Sequence, residues 1–281
     1  MSKLENHLVQ QQNTEQQNYS QHDVTELIVF LAKQPNKSPT SLWSDIRVSL
    51  ENYTVDDVTV QTTASVFYIN HMKVVKHHHH ILRMILQCLS SEDRVRLLHT
   101  RVNESGHTLL HGIAVYEKTG ETMKTVSELD SEDQYYHLLS VQTDILQETP
   151  LHNLCQHNNS AVLEAIMRLV SSEQTRYKLL QIPNNIGFTP LCDAAFANAT
   201  QAIRIIADSV SSHHLVHLLT ITDRWSGYTP VQRAACQGKQ EAEEILQYYL
   251  TTTLIDIRTE EALQQSDEKS EKCVADEATL N

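Results

Sequence analysis

The chain has 281 residues, 40% hydrophobic and 20% charged, enough to bury a sizeable core as one elongated or two compact domains. Its 35 acidic residues outweigh 22 basic ones, and a formal charge of −13 argues against binding to nucleic acid or an anionic membrane, where affinity is built on Lys and Arg. No apolar run has the length of a membrane-spanning helix, and MSKLENHLVQQQ lacks the basic-then-apolar order of a signal peptide.

Residues 1–21, with the run QQQNTEQQN, are expected to be disordered. The segment 22–60 predicts two helices. DVTELIVFLAKQ opens with Asp23 and Glu26 at capping-box spacing, and SPTSLWSDIRVSLENY offers Ser38 as a cap with Pro39 behind it. The pair either covers the exposed face of the first repeat or forms a separate interaction module.

Residues 61–250 repeat. GHTLLHGIA, QETPLHNLC, GFTPLCDAA and GYTPVQRAA align on Thr108, Thr149, Thr189 and Thr229, at steps of 41, 40 and 40 residues. Of only six glycines, Gly106, Gly187 and Gly227 stand two residues before a repeat threonine. Of six prolines, Pro150, Pro190 and Pro230 stand one residue after it. Scarce residues do not concentrate in this way by chance. Glycine suits a tight turn, threonine caps the helix that follows, and proline at the first helical position has no donor to lose. A second helix carries an apolar stripe, as in Val162, Ile166 and Leu169 or Ile203, Ile206 and Val210. One such unit has nothing of its own to cover that stripe, so units must stack.

These segments resemble the ankyrin repeat, whose TPLHxAA motif appears as Thr149-Pro150-Leu151-His152 and as Thr189-Pro190-Leu191 followed by Asp193-Ala194-Ala195. The resemblance covers roughly residues 68–250 and implies an all-α fold, an ankyrin-repeat solenoid of stacked helix pairs joined by hairpin turns. The period departs from the family's usual length of about 33 residues. The surplus predicts an extra short helix per repeat: Ser131…Gln134 and Ser171…Gln174 have capping-box spacing, and the pairs Leu97–Leu98, Leu138–Leu139, Leu179–Leu180 and Leu218–Leu219 read as core.

Counting back one period puts Tyr68 at the threonine position of a degraded repeat. It also aligns His77, the first of four consecutive histidines, with Asn158, Asn198 and Gly238. Those residue types share access to the left-handed conformation that links two helices. His77–His80 therefore reads as a turn and the start of a helix, where at most two rings share a face. His152 and Cys155 lie three apart, but no second pair completes a zinc set. No GxSxG, HExxH, Walker loop or GxGxxG occurs, so no catalytic residue, metal or cofactor is assigned. Five scattered cysteines without a CxxC read as reduced thiols in a cytoplasmic or nuclear protein.

The resemblance implies recognition of another protein through hairpin tips and the concave face of the first helices. The tips include Asn184, Asn185, Arg224 and Trp225. Residues four and eight after each threonine share a helix face, giving Asn153 with His157, Asp193 with Ala197, and Arg233 with Gln237. Trp225 beside Arg224 matches the residue types of binding hot spots, although it could equally fold against the neighbouring hairpin. Phe188 and Tyr228 read as hairpin packing. The stretch 251–281 is acidic and expected to be disordered. The expected function is that of a monomeric, non-enzymatic scaffold or adaptor for a protein partner. The alternatives are a regulatory inhibitor whose acidic tail fills a basic site on, for example, a transcription factor, or a host-directed effector.

Overall fold

The computed structural model describes Leu86, residues 91–117, 119–120, 122–123, 126 and 132–278, with side chains described as far as residue 264. The Gln/Asn-rich start, the two N-terminal helices, the degraded repeat around Tyr68 and His77–His80 lie outside the described residues. Eleven helices are bounded among the described residues, and no strand occurs there: α1 (Ser91–His99), α2 (Leu109–Tyr116), α3 (Glu132–Leu139), α4 (Pro150–Gln156), α5 (Ser160–Leu169), α6 (Glu173–Leu180), α7 (Pro190–Ala197), α8 (Thr200–Asp208), α9 (Ser212–Thr220), α10 (Pro230–Cys236) and α11 (Gln240–Ala278). The described part of the chain is all-helical.

Local chemistry explains where these helices begin and end. Thr108, Thr149, Thr189 and Thr229 each hold the N-cap of a first helix with extended backbone, and Pro150, Pro190 and Pro230 follow. In three of the four units the residue three places on closes the cap in return. The Thr108 and Thr149 amides donate to His111 and His152 Nδ1 at 3.1 and 3.0 Å, and the Thr229 amide donates to Gln232 Oε1 at 3.0 Å. Three of the four first helices end on a left-handed residue, with φ of 47° at Asn158, 58° at Asn198 and 64° at Gly238, while α2 ends on the extended Glu117. Asn158 and Asn198 add a link to the next unit: their Oδ1 atoms accept from the amides of Ala202 at 3.4 Å and Ala242 at 3.1 Å.

Packing follows the sequence period. Neighbouring first helices meet along α2, α4, α7 and α10, and second helices along α5, α8 and α11. Val162, Leu163, Ile166 and Met167 of α5, with Ala202, Ile203, Ile206 and Ala207 of α8, form the buried stripe between them. Full burial of one such aliphatic side chain stabilises by about 1.5–3 kcal/mol. The extra helices are α1, α3, α6 and α9, and all four leucine pairs are buried in one continuous core. The cap of α6 lies one residue later than its spacing predicts. Ser172 accepts from the Thr175 amide at 3.2 Å, and the Arg176 guanidinium holds the carbonyls of Val170 and Ser171 just before it.

Helix α11 differs from expectation. Residues 251–278, expected to be disordered, continue it without a break, and Thr253 is buried in the body. After Gly238 the chain contains no glycine or proline and is rich in Glu, Gln, Leu, Ala and Lys, all good helix formers. Acidic composition argued for solvation, and solvation does not prevent a helix.

Candidate partner-binding face

Each unit begins with a short hairpin whose base is closed by a main-chain bond: Val102 to His107 (2.7 Å), Thr143 to Glu148 (2.9 Å), Asn184 to Phe188 (2.8 Å) and Asp223 to Tyr228 (3.0 Å), the first residue of each pair donating. Its tip then donates to the tip before it. Asp144 N–H meets Ser105 O at 2.9 Å, Asn185 N–H meets Leu146 O at 2.9 Å, and Arg224 N–H meets Ile186 O at 3.1 Å. The tips thus form a ladder running across the units. Left-handed residues make the turns: Gly106, Gln147, Gly187 and Gly227 all have positive φ.

That ladder carries large apolar side chains in the open. Ile145, Leu146, Ile186 and Trp225 are exposed, Trp225 to 78%. Of the two roles open to Trp225, folding against its neighbour is therefore not the one adopted. Its backbone is nonetheless fixed, because Asp223 Oδ1 accepts from the amides of Trp225 (3.0 Å) and Ser226 (2.6 Å). Phe188 packs inside at 4% exposure, with Phe196 beside it, while Tyr228, its counterpart one unit on, stands 37% exposed.

The remaining expected contact residues divide. Arg224, Asn185, His157 and Gln237 are exposed. Asn184, Asn153, Asp193 and Arg233 are buried, which corrects their assignment to an open face. Asn184 spends its Oδ1 inside its own tip, accepting from the amides of Ile186 (3.2 Å) and Phe188 (2.9 Å). The other three sit at the fourth residue of a first helix, and that position is closed over by neighbouring groups. Asp193 accepts from Gln156 Nε2 at 3.3 Å, and the same amide donates to Glu148 at 2.6 Å. Burial, with Glu148 close by, lifts the Asp193 carboxyl to about 8. Arg233 donates to Asp223 Oδ2 at 2.6 Å and to Ser226 Oγ, and its guanidinium lies over Phe188 and Tyr228 at 4.8 and 5.2 Å from the ring centroids. Arg233 therefore braces the fourth tip from within.

His111 and His152 have a role that the helix-start reading covered only in part. Besides closing their own caps, their Nε2 atoms donate to Glu148 O and Phe188 O, both at 3.0 Å and both one unit ahead. Burial depresses the rings to about 3 and about 4, so they are neutral at physiological pH. Between α6 and α9, His214 stacks on Tyr177 and lies 2.7 Å from Glu173 Oε1 and 3.4 Å from Ser211 Oγ. Both contacts use Nδ1, whereas a relay to a nucleophile needs the acid and the hydroxyl on opposite nitrogens. The group is a brace between helices. Buried Cys155 and Cys192 have thiols raised by burial, Cys192 to about 12, which suits packing and not nucleophilic chemistry. Among the described residues no cluster of three His, Cys, Asp or Glu is placed to hold a metal, and no helix is long and apolar enough to cross a membrane.

No protein-family model matches the chain, and no curated protein matches it. Among solved structures it is similar to the crystal structure of the yeast ribosomal protein Rps3 in complex with its chaperone Yar1. The identity is 16% and the TM-score 0.40, over 48% of this chain and 86% of that one.

Proposed function

We propose that the helices form an ankyrin-type solenoid and that the chain acts as a non-enzymatic scaffold or adaptor, holding a protein partner along its hairpin tips. The observation that carries this reading is the exposed strip Ile145, Leu146, Ile186 and Trp225 on tips joined by main-chain bonds. Large apolar side chains left exposed on successive tips of a rigid frame suit burial under a partner. Support for the solenoid comes from the recurring threonine cap, the left-handed helix ends and the unit-to-unit order of packing.

The test is affinity capture with the full chain and with a Leu146→Asp/Ile186→Asp/Trp225→Ala variant, whose changes are all on the surface and should leave helix content intact. Loss of captured partners supports the reading, and undiminished capture of every partner removes it. A second reading is an acidic helical extension that occupies a basic site on the partner. Asp256, Glu260 and Glu261 stand exposed on α11 beyond Thr253, the last buried residue among the described side chains of that helix. Removing residues 258–281 should then weaken capture strongly at low salt and little at high salt. Salt-independent capture after truncation would end that reading.

A further inference from the structure

We infer that the fourth tip is an open edge to which an extended segment of the partner adds as one more rung of the tip ladder, its backbone N–H on the Ser226 carbonyl and a large apolar side chain against Trp225. This rests on the scaffold reading above and specifies how the partner is held.

The three existing rungs share one pattern. The acceptor carbonyl (Ser105, Leu146, Ile186) always precedes the left-handed residue of its tip. The donor is polar and is followed by a large apolar residue: Asp144 then Ile145, Asn185 then Ile186, Arg224 then Trp225. At two of the rungs the donor residue also closes over the preceding glycine. A methyl group placed on Gly106 would lie 2.6 Å from Asp144 Oδ2, and one on Gly187 would lie 2.5 Å from the Arg224 amide nitrogen.

At the fourth tip the pattern stops halfway. Ser226 stands where those three acceptors stand, and among the described residues its carbonyl receives no hydrogen bond. A methyl group on Gly227 would meet nothing within 4 Å. Tyr228 is exposed where Phe188 is covered, and Trp225 is the most exposed large apolar residue of the tips. The edge is also rigid, since Asp223 and Arg233 already hold its turn, so little ordering is needed when a strand arrives.

The rest of the same end favours a slender occupant, although Tyr248, Leu254 and Ile255 are exposed further along α11. The buried Leu163 and Ile203 are followed one period later by Glu243, and the buried Met167 and Ala207 by the exposed Gln247. At the matching place in the first helix, buried His152 and Cys192 give way to exposed Gln232. Another helix pair, or a second copy stacked end to end, would have to bury these polar groups, as terminal caps of repeat arrays are built to prevent. One extended segment touching only the tip avoids them. Strand addition suits it, with main-chain bonds supplying affinity and the side chain beside Trp225 supplying selectivity. The segment should carry a polar residue with a free amide, followed by Ile or an aromatic residue.

The experiment is fluorescence anisotropy with the full chain and two labelled peptides. One copies residues 181–190 (QIPNNIGFTP), and the other is identical except for an N-methyl group on the amide of the residue copying Asn185. Saturable binding of the first, weakened at least fivefold by N-methylation and about tenfold by Trp225→Ala, is the expected result. Equal binding of both peptides, or no saturable binding of the first at up to ~1 mM, overturns the inference. Either of those outcomes alongside partner loss in the Leu146/Ile186/Trp225 variant leaves the scaffold reading standing and removes only the strand edge.

Discussion

The His111→Gln/His152→Gln variant tests whether the two buried imidazoles join successive units as neutral groups. Each ring accepts from its own threonine amide through Nδ1 and donates through Nε2 to a carbonyl one unit ahead. Protonating Nδ1 would break the first bond and strand a charge away from water, so burial holds the rings at about 3 and about 4. In the unfolded chain both return to about 6.5. Between these values the unfolded chain carries more protons. The stability the rings contribute is thus complete above about pH 6.5 and is lost as pH falls through the window toward 4. At about 1.4 kcal/mol per pH unit, lowering the pH from 7.5 to 5 costs about 2 kcal/mol per ring and about 4 kcal/mol for the pair. For a body of this size that is roughly 8–16 °C in melting temperature. Glutamine already fills the equivalent position as Gln232 and accepts from Thr229, so the variant should fold. It starts about 1 kcal/mol lower per site at pH 7.5 for lack of the bond to the next unit. The assay is thermal and urea unfolding, followed by circular dichroism, at pH 7.5, 6.5 and 5. The expected result is that the gap between wild type and variant closes or reverses by about 4 kcal/mol as pH falls. Asp193, whose effect runs the other way, is common to both chains and cancels. Parallel pH profiles for the two chains would refute the reasoning.

Asp193→Asn should stabilise the chain progressively above about pH 4, by about 1.4 kcal/mol per pH unit until about pH 8. The reason is that a carboxyl raised to about 8 in the fold contributes stability at low pH and loses it as pH rises; urea titrations at pH 5 and 7.5 check this. Gly227→Ala should cost about 1 kcal/mol for its positive φ alone, whereas Gly187→Ala must also displace the Arg224 backbone and should cost clearly more. Equal melting temperatures for the two would contradict the packing of the third tip by the fourth. Arg233→Ala leaves Asp223 buried without its cation and should cost about 3–5 kcal/mol. A loss below about 1 kcal/mol, in the range of an exposed ion pair, would show that the guanidinium does not brace the tip.

The course of the chain is legible in its sequence because the signals are local. A threonine before a proline caps a helix wherever it stands, and an asparagine or glycine at one place in three of the units marks the left-handed turn, as Asn158, Asn198 and Gly238 bear out. Paired leucines after a charged turn announced the extra helices. The α6 cap falls one residue later than the spacing predicts, on Ser172, because two adjacent serines offer the same hydroxyl and spacing alone cannot choose between them. The helical state of 251–278 was missed for a different reason: composition reports how well a segment is solvated and says little about its backbone.

The contact surface was only half legible. Spacing placed Asn153 with His157 and Arg233 with Gln237 on shared faces, yet the first of each pair is buried and the second exposed. Adjacent tip residues part in the same way, Asn184 turning inward to hold its own loop and Asn185 outward to meet the tip before it. Periodicity assigns a residue to a side of its helix, and that much follows from bond geometry within one turn. Whether that side meets water or the next unit depends on groups some forty residues away, whose positions arise only when the units pack. The open edge at Ser226 is of the same kind, since it exists only because three earlier tips were laid in register and, among the described residues, α11 runs on where the next tip would stand.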